Sequence, residues 1–199
     1  RSQDFTDGAA LQFALSEALP QFQMGSKNEL VNLWYWRADR QMDMARYVDL
    51  EDVYPDMVGE EYQSTKDYYS LETHTKLDKP SREVISAPGQ EKTFMTAWGV
   101  GNPMANPWRT TAVEDLNAVG FGTLTAQNPD GQNVRGVGFW VDGKWRVVFV
   151  RELNSTEASD VKFRPGAKVP IAFAVWDGSK GDRNGQKTVT TWYTLQIEK

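Results

Sequence analysis

Gly136-Val-Gly-Phe-Trp-Val-Asp-Gly-Lys-Trp-Arg-Val-Val-Phe-Val150 consists of two β-branched and aromatic runs separated by Asp142-Gly143. An Asp-Gly pair lets both central residues of a type I′ turn take positive φ, and the twist of that turn matches the twist of the strands it joins. The stretch therefore reads as a β-hairpin. From Trp145 to Val150 the apolar positions run almost unbroken, which predicts burial on both faces. Outward from the hairpin, short runs of the same character recur between clusters of Gly, Pro, Asn and Asp, the pattern of a sandwich or barrel. The expected strands are Ala9–Leu15, Leu30–Ala38, Thr93–Gly99, Gly120–Ala126, Val134–Val141, Trp145–Glu152, Val169–Trp176 and Thr188–Gln196. Asp115–Val119 is expected to form one or two helical turns. Asp39–Ser86 lacks strand alternation, is rich in Asp, Glu, Tyr and Lys, and reads as a partly helical insertion. No internal repeat or low-complexity linker divides the chain. Residues 1–199 are accordingly expected to form one all-β domain with a few short helices.

Composition narrows what such a domain can do. The chain has 199 residues, 40% of them hydrophobic, and no apolar run approaches the roughly 18 residues of a membrane-spanning helix. It reads as a soluble globular protein without a membrane span. A net charge of −5 argues against a binder of nucleic-acid phosphates, which would carry a basic patch. Cysteine is absent, which excludes disulfides, thiolate zinc, iron–sulfur ligation and covalent c-type haem attachment. The chain opens at Arg1 rather than at methionine, as a processed product would.

Two loops offer donor atoms beside strand-like sequence. Thr93-Phe-Met-Thr-Ala-Trp-Gly-Val-Gly-Asn-Pro-Met104 ends in a Gly- and Pro-restricted loop, and Arg183-Asn-Gly-Gln-Lys187 closes another. A methionine so placed either folds back into the core or presents a thioether. Lysine in a turn-rich loop is ordinarily solvated, and ligation would require it to shed its proton. Asp177, Asp182 and Asn184 could suggest calcium, although their spacing is not that of an EF-hand and such residues are ordinary turn formers. His74, the only histidine, stands alone in the acidic insertion and, after Met104 and Lys187, is a third, weaker candidate ligand should the chain hold iron. Trp34 and Trp36, two apart, would share one strand face, as a sugar-stacking platform, as core, or as the lining of a flat cofactor cavity. The carboxylate pairs Glu60/Glu61 and Glu114/Asp115 have no pocket motif around them, and no nucleophile-elbow, phosphate-loop, dinucleotide or zinc-protease signature occurs.

Trp98-Gly-Val-Gly-Asn-Pro-Met104, Arg109–Thr125, Gly143–Leu153 and Ala174–Gly178 with Arg183–Lys187 together resemble one family. It comprises the haem b-binding γ subunits of periplasmic molybdenum enzymes: ethylbenzene dehydrogenase, dimethyl sulfide dehydrogenase, selenate reductase and chlorate reductase. The resemblance runs from Asp7 through the last strand and is weakest over Asp39–Ser86. It implies a β-sandwich of two mainly antiparallel sheets holding one non-covalent haem b between loops at one end. Met104 and Lys187 would be its axial ligands, an assignment that residue chemistry alone leaves open. Asn102 and Asn184 would shape the ligand loops through side-chain hydrogen bonds, and Arg109, Arg183 or Lys180 would face the propionates. The implied role is non-catalytic electron transfer in the periplasm. Implied partners are an iron–sulfur β subunit, a molybdopterin-containing α subunit and a soluble c-type cytochrome. A carbohydrate-binding β-sandwich with a structural calcium is the alternative.

Overall fold

Residues 5–16, 19–20, 24–45 and 110–199 are described by the computed structural model. Contacts divide the chain into two units, Arg1–Gln41 with Thr110–Lys199, and Met42–Arg109, and the first carries both sheets described below. Its elements in chain order are β1 (Gly8–Ala14), β2 (Val31–Arg37), α1 (Ala38–Ala45), β3 (Val113–Ala118), β4 (Thr125–Ala126), β5 (Arg135–Val141), β6 (Lys144–Val150), β7 (Lys168–Trp176), β8 (Thr188–Val189) and β9 (Tyr193–Gln196). Seven strands pair antiparallel in the order β4-β3-β2-β1-β7-β8, with β9 also on β7, while β5 and β6 form a separate two-stranded sheet. The all-β expectation with two antiparallel sheets holds.

Register explains where the core sits. Directly paired residues share a face, so Leu11↔Trp34, Ala9↔Trp36 and Phe13↔Asn32 look one way, and Gly8↔Arg37, Ala10↔Tyr35 and Gln12↔Leu33 look the other. The first face meets the hairpin. Trp36 packs on Trp145 at 4.9 Å between ring centroids, and Trp34 packs edge-on against Phe13 and Phe163. Trp36 and Phe13 are each 1% exposed, and burying side chains of that size stabilises by about 2–3 kcal/mol apiece. Two glycines let the hairpin approach this closely: a Cβ on Gly138 would lie 2.2 Å from the Trp36 ring, and one on Gly136 would lie 2.4 Å from Val113. On the opposite face Val31, Leu33, Leu116 and Ala118 form a second apolar cluster joined by Met24, Tyr35, Ala126 and Trp192.

Several expectations need correction. Asp115–Val119 is not helical, because Val113–Ala118 is the strand β3. Its Asp and Asn residues have weak strand propensity, but their side chains find buried partners on neighbouring elements, and that tertiary satisfaction wins. Gly120–Ala126 shrinks to the two residues of β4, since Gly120 and Gly122 take positive φ and turn the chain. Thr188–Gln196 is split into β8 and β9. The turn at Asp142-Gly143 is as expected, with φ of 52° and 72°. Burial of β6 on both faces is not observed: its outward side chains, Val148 and Val150 among them, are exposed. The expected strand Thr93–Gly99 and most of the 39–86 insertion lie outside the described residues; the part described opens with α1.

Candidate functional site

Lys187 is held by a loop whose shape is set by main-chain contacts. Gly178 makes the first: its carbonyl accepts from Phe5 N at 3.1 Å and its N–H donates to Asp7 Oδ1 at 2.8 Å. No other residue fits there, because a Cβ would fall 1.6 Å from the Phe5 carbonyl oxygen. Asp182 then accepts from Asp177 N at 3.0 Å, and Arg183 and Gln186 close a tight turn across Asn184-Gly185. Asn184 takes φ of 51°, and its carbonyl accepts from the Trp176 indole N–H at 3.1 Å. Asn184 thus shapes the loop through its main chain, whereas side-chain hydrogen bonding was expected.

The consequence is a lysine laid back on an aromatic ring. Lys187 Nζ lies 5.3 Å from the centroid of Trp176, which itself packs on Tyr35 at 4.6 Å. The side chain is partly buried, and that burial holds its amine below the usual lysine pKa. Among the described residues it has no carboxylate partner to restore the charge. Lys180 and Arg183 behave as ordinary loop cations: Lys180 pairs with Asp177 at 2.9 Å, and Arg183 covers the Phe5 ring and donates to the Gly181 carbonyl.

Trp176 and Tyr35 border a low floor on the sheet. Gly8, Ala10, Ala172 and Ala174 lie on the same face by register, and small side chains there leave the pleat nearly flat. Gln12 ends that floor. Its Oε1 accepts from Met24 N at 3.1 Å, while its buried Nε2 has no hydrogen-bond partner among the described residues. An orphaned buried amide is costly and marks a place where an acceptor fits. A cavity of about 540 Å³ lies along the same strands, lined on the hairpin side by Leu11, Trp36, Trp145, Phe149, Phe173 and Val175 and reaching Gly8, Ala10, Ala174 and Trp176 of the floor. Among the described residues it presents no methionine, histidine or lysine. Its carboxylate, Asp7, already accepts from Trp145 Nε1 and Gly178 N.

Behind the hairpin is a buried polar network that composition does not reveal. Gln127 Nε2 donates to Asp115 Oδ1 at 2.8 Å and to Asp160 Oδ1 at 2.7 Å, so one amide bridges two carboxylates. Asn32 also donates to Asp115; Asn133 and Ser155 donate to Asp160. A single guanidinium, Arg151, lies 3.5 Å from Asp160 and 5.0 Å over Trp34. Burial, and then the charge of Asp160, push the Asp115 carboxyl up to about 7 against the hydrogen bonds of Asn32 and Gln127 and the charge of Arg151. Asp160 goes the other way: burial would raise it, but its hydrogen bonds and Arg151 hold it below the usual carboxylate range. The sequence hint was a polar residue inside each apolar strand, Asn32 in β2 and Asp115 in β3.

Of the expected site residues, Lys187 and Asn184 are described and share one loop. Met104, Asn102 and Arg109 lie outside the described residues, as do His74 and Glu60/Glu61. Two other readings fail. Trp34 and Trp36 are 5% and 1% exposed, so they are core and offer no sugar platform. Glu114 and Asp115 point to opposite faces, one to Arg40 and the other into the network, and cannot act as a pair. Asp177 is taken by Lys180 and Ser179, and no cluster of three metal-binding side chains occurs among the described residues, which leaves calcium unsupported.

Known proteins bear on the same chain. A family model described as ethylbenzene dehydrogenase matches residues 1–188. A protein of Haloferax mediterranei assigned by name as a respiratory nitrate reductase heme subunit, ORF7, is 28% identical over 193 residues, 96% of this chain and 43% of its own length. The chlorate reductase subunit gamma of Ideonella dechloratans is 31% identical over 104 residues, 49% of this chain and 43% of its own length. The chain therefore spans less than half the length of either curated relative. With nearly all of its residues matched, the chain belongs to the ethylbenzene dehydrogenase family.

Proposed function

We propose that this chain is a haem-binding electron-transfer module, holding one non-covalent haem b with Met104 and Lys187 as axial ligands. The observation that carries the reading is the state of Lys187. A lysine ligates only through its neutral amine, and this one is partly buried against Trp176 with its pKa depressed. The donor chemistry fits a chain with no cysteine and one histidine, because a thioether and an amine need neither. Gly8, Ala10, Ala172 and Ala174 surround the base of the Trp176 strand with small apolar side chains, and Gln12 Nε2, without a hydrogen-bond partner among the described residues, suits an acceptor beside them. The names of both relatives, a heme subunit and a gamma subunit of a reductase, point the same way.

When bound, the haem supplies a one-electron couple whose potential a thioether ligand raises. The chain's own part is to lower the cost of deprotonating Lys187 by partly burying its amine against Trp176, and to hold its loop through Gly178 and Asn184. In this reading electrons pass between an iron–sulfur subunit of a molybdenum oxidoreductase and a periplasmic cytochrome, and the chain performs no substrate chemistry. The test is an absorption spectrum before and after dithionite, with acid–acetone extraction of the pigment. A reduced b-type spectrum, altered in both Met104→Ala and Lys187→Ala, is expected. A colourless protein after reconstitution with hemin, or spectra and potential untouched by both substitutions, would refute the assignment.

A further inference from the structure

The β5–β6 hairpin is built inside out. Register places Arg135↔Val150, Val137↔Val148, Phe139↔Arg146 and Val141↔Lys144 on the face away from the seven-stranded sheet. An antiparallel hairpin with one solvated face ordinarily turns polar side chains outward. Here Phe139, Val148 and Val150 are 52%, 47% and 58% exposed on that face. Leaving side chains of this size in water forgoes roughly 1.5–3 kcal/mol each. Of the other outward positions, Val141 is 37% exposed, Val137 is half-buried, and Arg135, Lys144 and Arg146 are exposed. The hairpin's one acid, Asp142, sits in the turn, and none of the three cations has a salt-bridge partner among the described residues. A chain of net charge −5 thus carries an apolar patch whose charged side chains are all cationic.

We propose that this outward face docks an acidic protein partner whose carboxylates surround an apolar patch. Charge complementarity selects that occupant. An apolar centre ringed by arginine and other polar groups is the ordinary make-up of a protein–protein interface, and like-signed cations on an acidic chain orient an approaching acidic protein. The strands extend ~24 Å, long enough for a small interface. A lipid surface fits less well: Arg146 stands mid-face beside Phe139, and inserting the valines would draw its charge into hydrocarbon. A carboxylate on a protein meets that charge directly.

The inference is independent of haem ligation, and its test reads contact rather than colour. A photoreactive benzoylphenylalanine replaces Val148 in the full chain expressed in its own host, and cross-linked peptides are identified by mass spectrometry. The same probe is repeated in an Arg135→Glu/Arg146→Glu background, and separately with phosphatidylglycerol vesicles. A cross-link to one protein at an Asp/Glu-rich peptide, falling about tenfold or more on charge reversal and weakening with salt, is expected. Cross-links confined to this chain, a yield indifferent to charge reversal, or vesicle binding lost with the same two charges would each overturn the proposal. All three cations are exposed, so far-UV circular dichroism confirms that the reversed variant is folded.

Discussion

Asp115→Asn tests the buried network most directly, because it replaces an ionisable group with its neutral isostere. The carboxyl is 1% exposed and shares the Gln127 amide with Asp160, and its pKa stands at about 7 against an ordinary 3.8. Below pH 3.8 the acid is protonated in both folded and unfolded chains and contributes nothing. Between 3.8 and about 7 the unfolded chain releases the proton while the folded one keeps it. The folded state then binds more protons, so stability falls as pH rises through this window. A gap of about three pH units at ~1.36 kcal/mol each sets the loss near 4 kcal/mol by pH 8, as an upper bound. Asparagine can keep the acceptor atom toward Asn32 and Gln127 and never ionises. Urea denaturation followed by tryptophan fluorescence, on parent and variant from pH 4.5 to 8, isolates this group because contributions of distant carboxylates cancel in the difference. The variant is expected to lie close to the parent at acid pH and to become more stable by a few kcal/mol at pH 8. Parallel curves, or a variant destabilised at every pH, would refute the reasoning that Asp115 resists ionisation.

Glu114→Ala removes the carboxylate from a guanidinium, Arg40, whose side chain is only 4% exposed, and should cost about 3–5 kcal/mol in the same denaturation assay. Gly138→Ala forces a methyl group toward the Trp36 ring and should destabilise by about 1–3 kcal/mol, with a change in near-UV circular dichroism from the displaced indole. In the ligand-free chain, Lys187→Met should flatten the gain in stability with rising pH that a lysine of lowered pKa confers between its folded value and 10.5, read from urea midpoints at pH 8 and 10.

The chain's own letters determined its strands and their hairpin. Asp142-Gly143 between two β-branched runs has one cheap turn, and the short apolar-rich runs Ala9–Leu15 and Val169–Trp176, bounded by turn residues, favour extended backbone; these are local preferences, legible without a partner. The absence of cysteine and the near absence of histidine likewise restrict the donor atoms whatever the fold. What remained open was everything decided by residues far apart in sequence. Val113–Ala118 is a strand because Asn32, Arg40 and Gln127 satisfy polar groups that local propensity counts against it. Trp34 and Trp36 are core because the glycines of β5 let the hairpin descend on them. Lys187 looks solvated in its turn-rich segment, yet tertiary folding lays it on Trp176 and lowers its pKa. Desolvation and pairing depend on what surrounds a group in space, and only the folded chain brings those surroundings together.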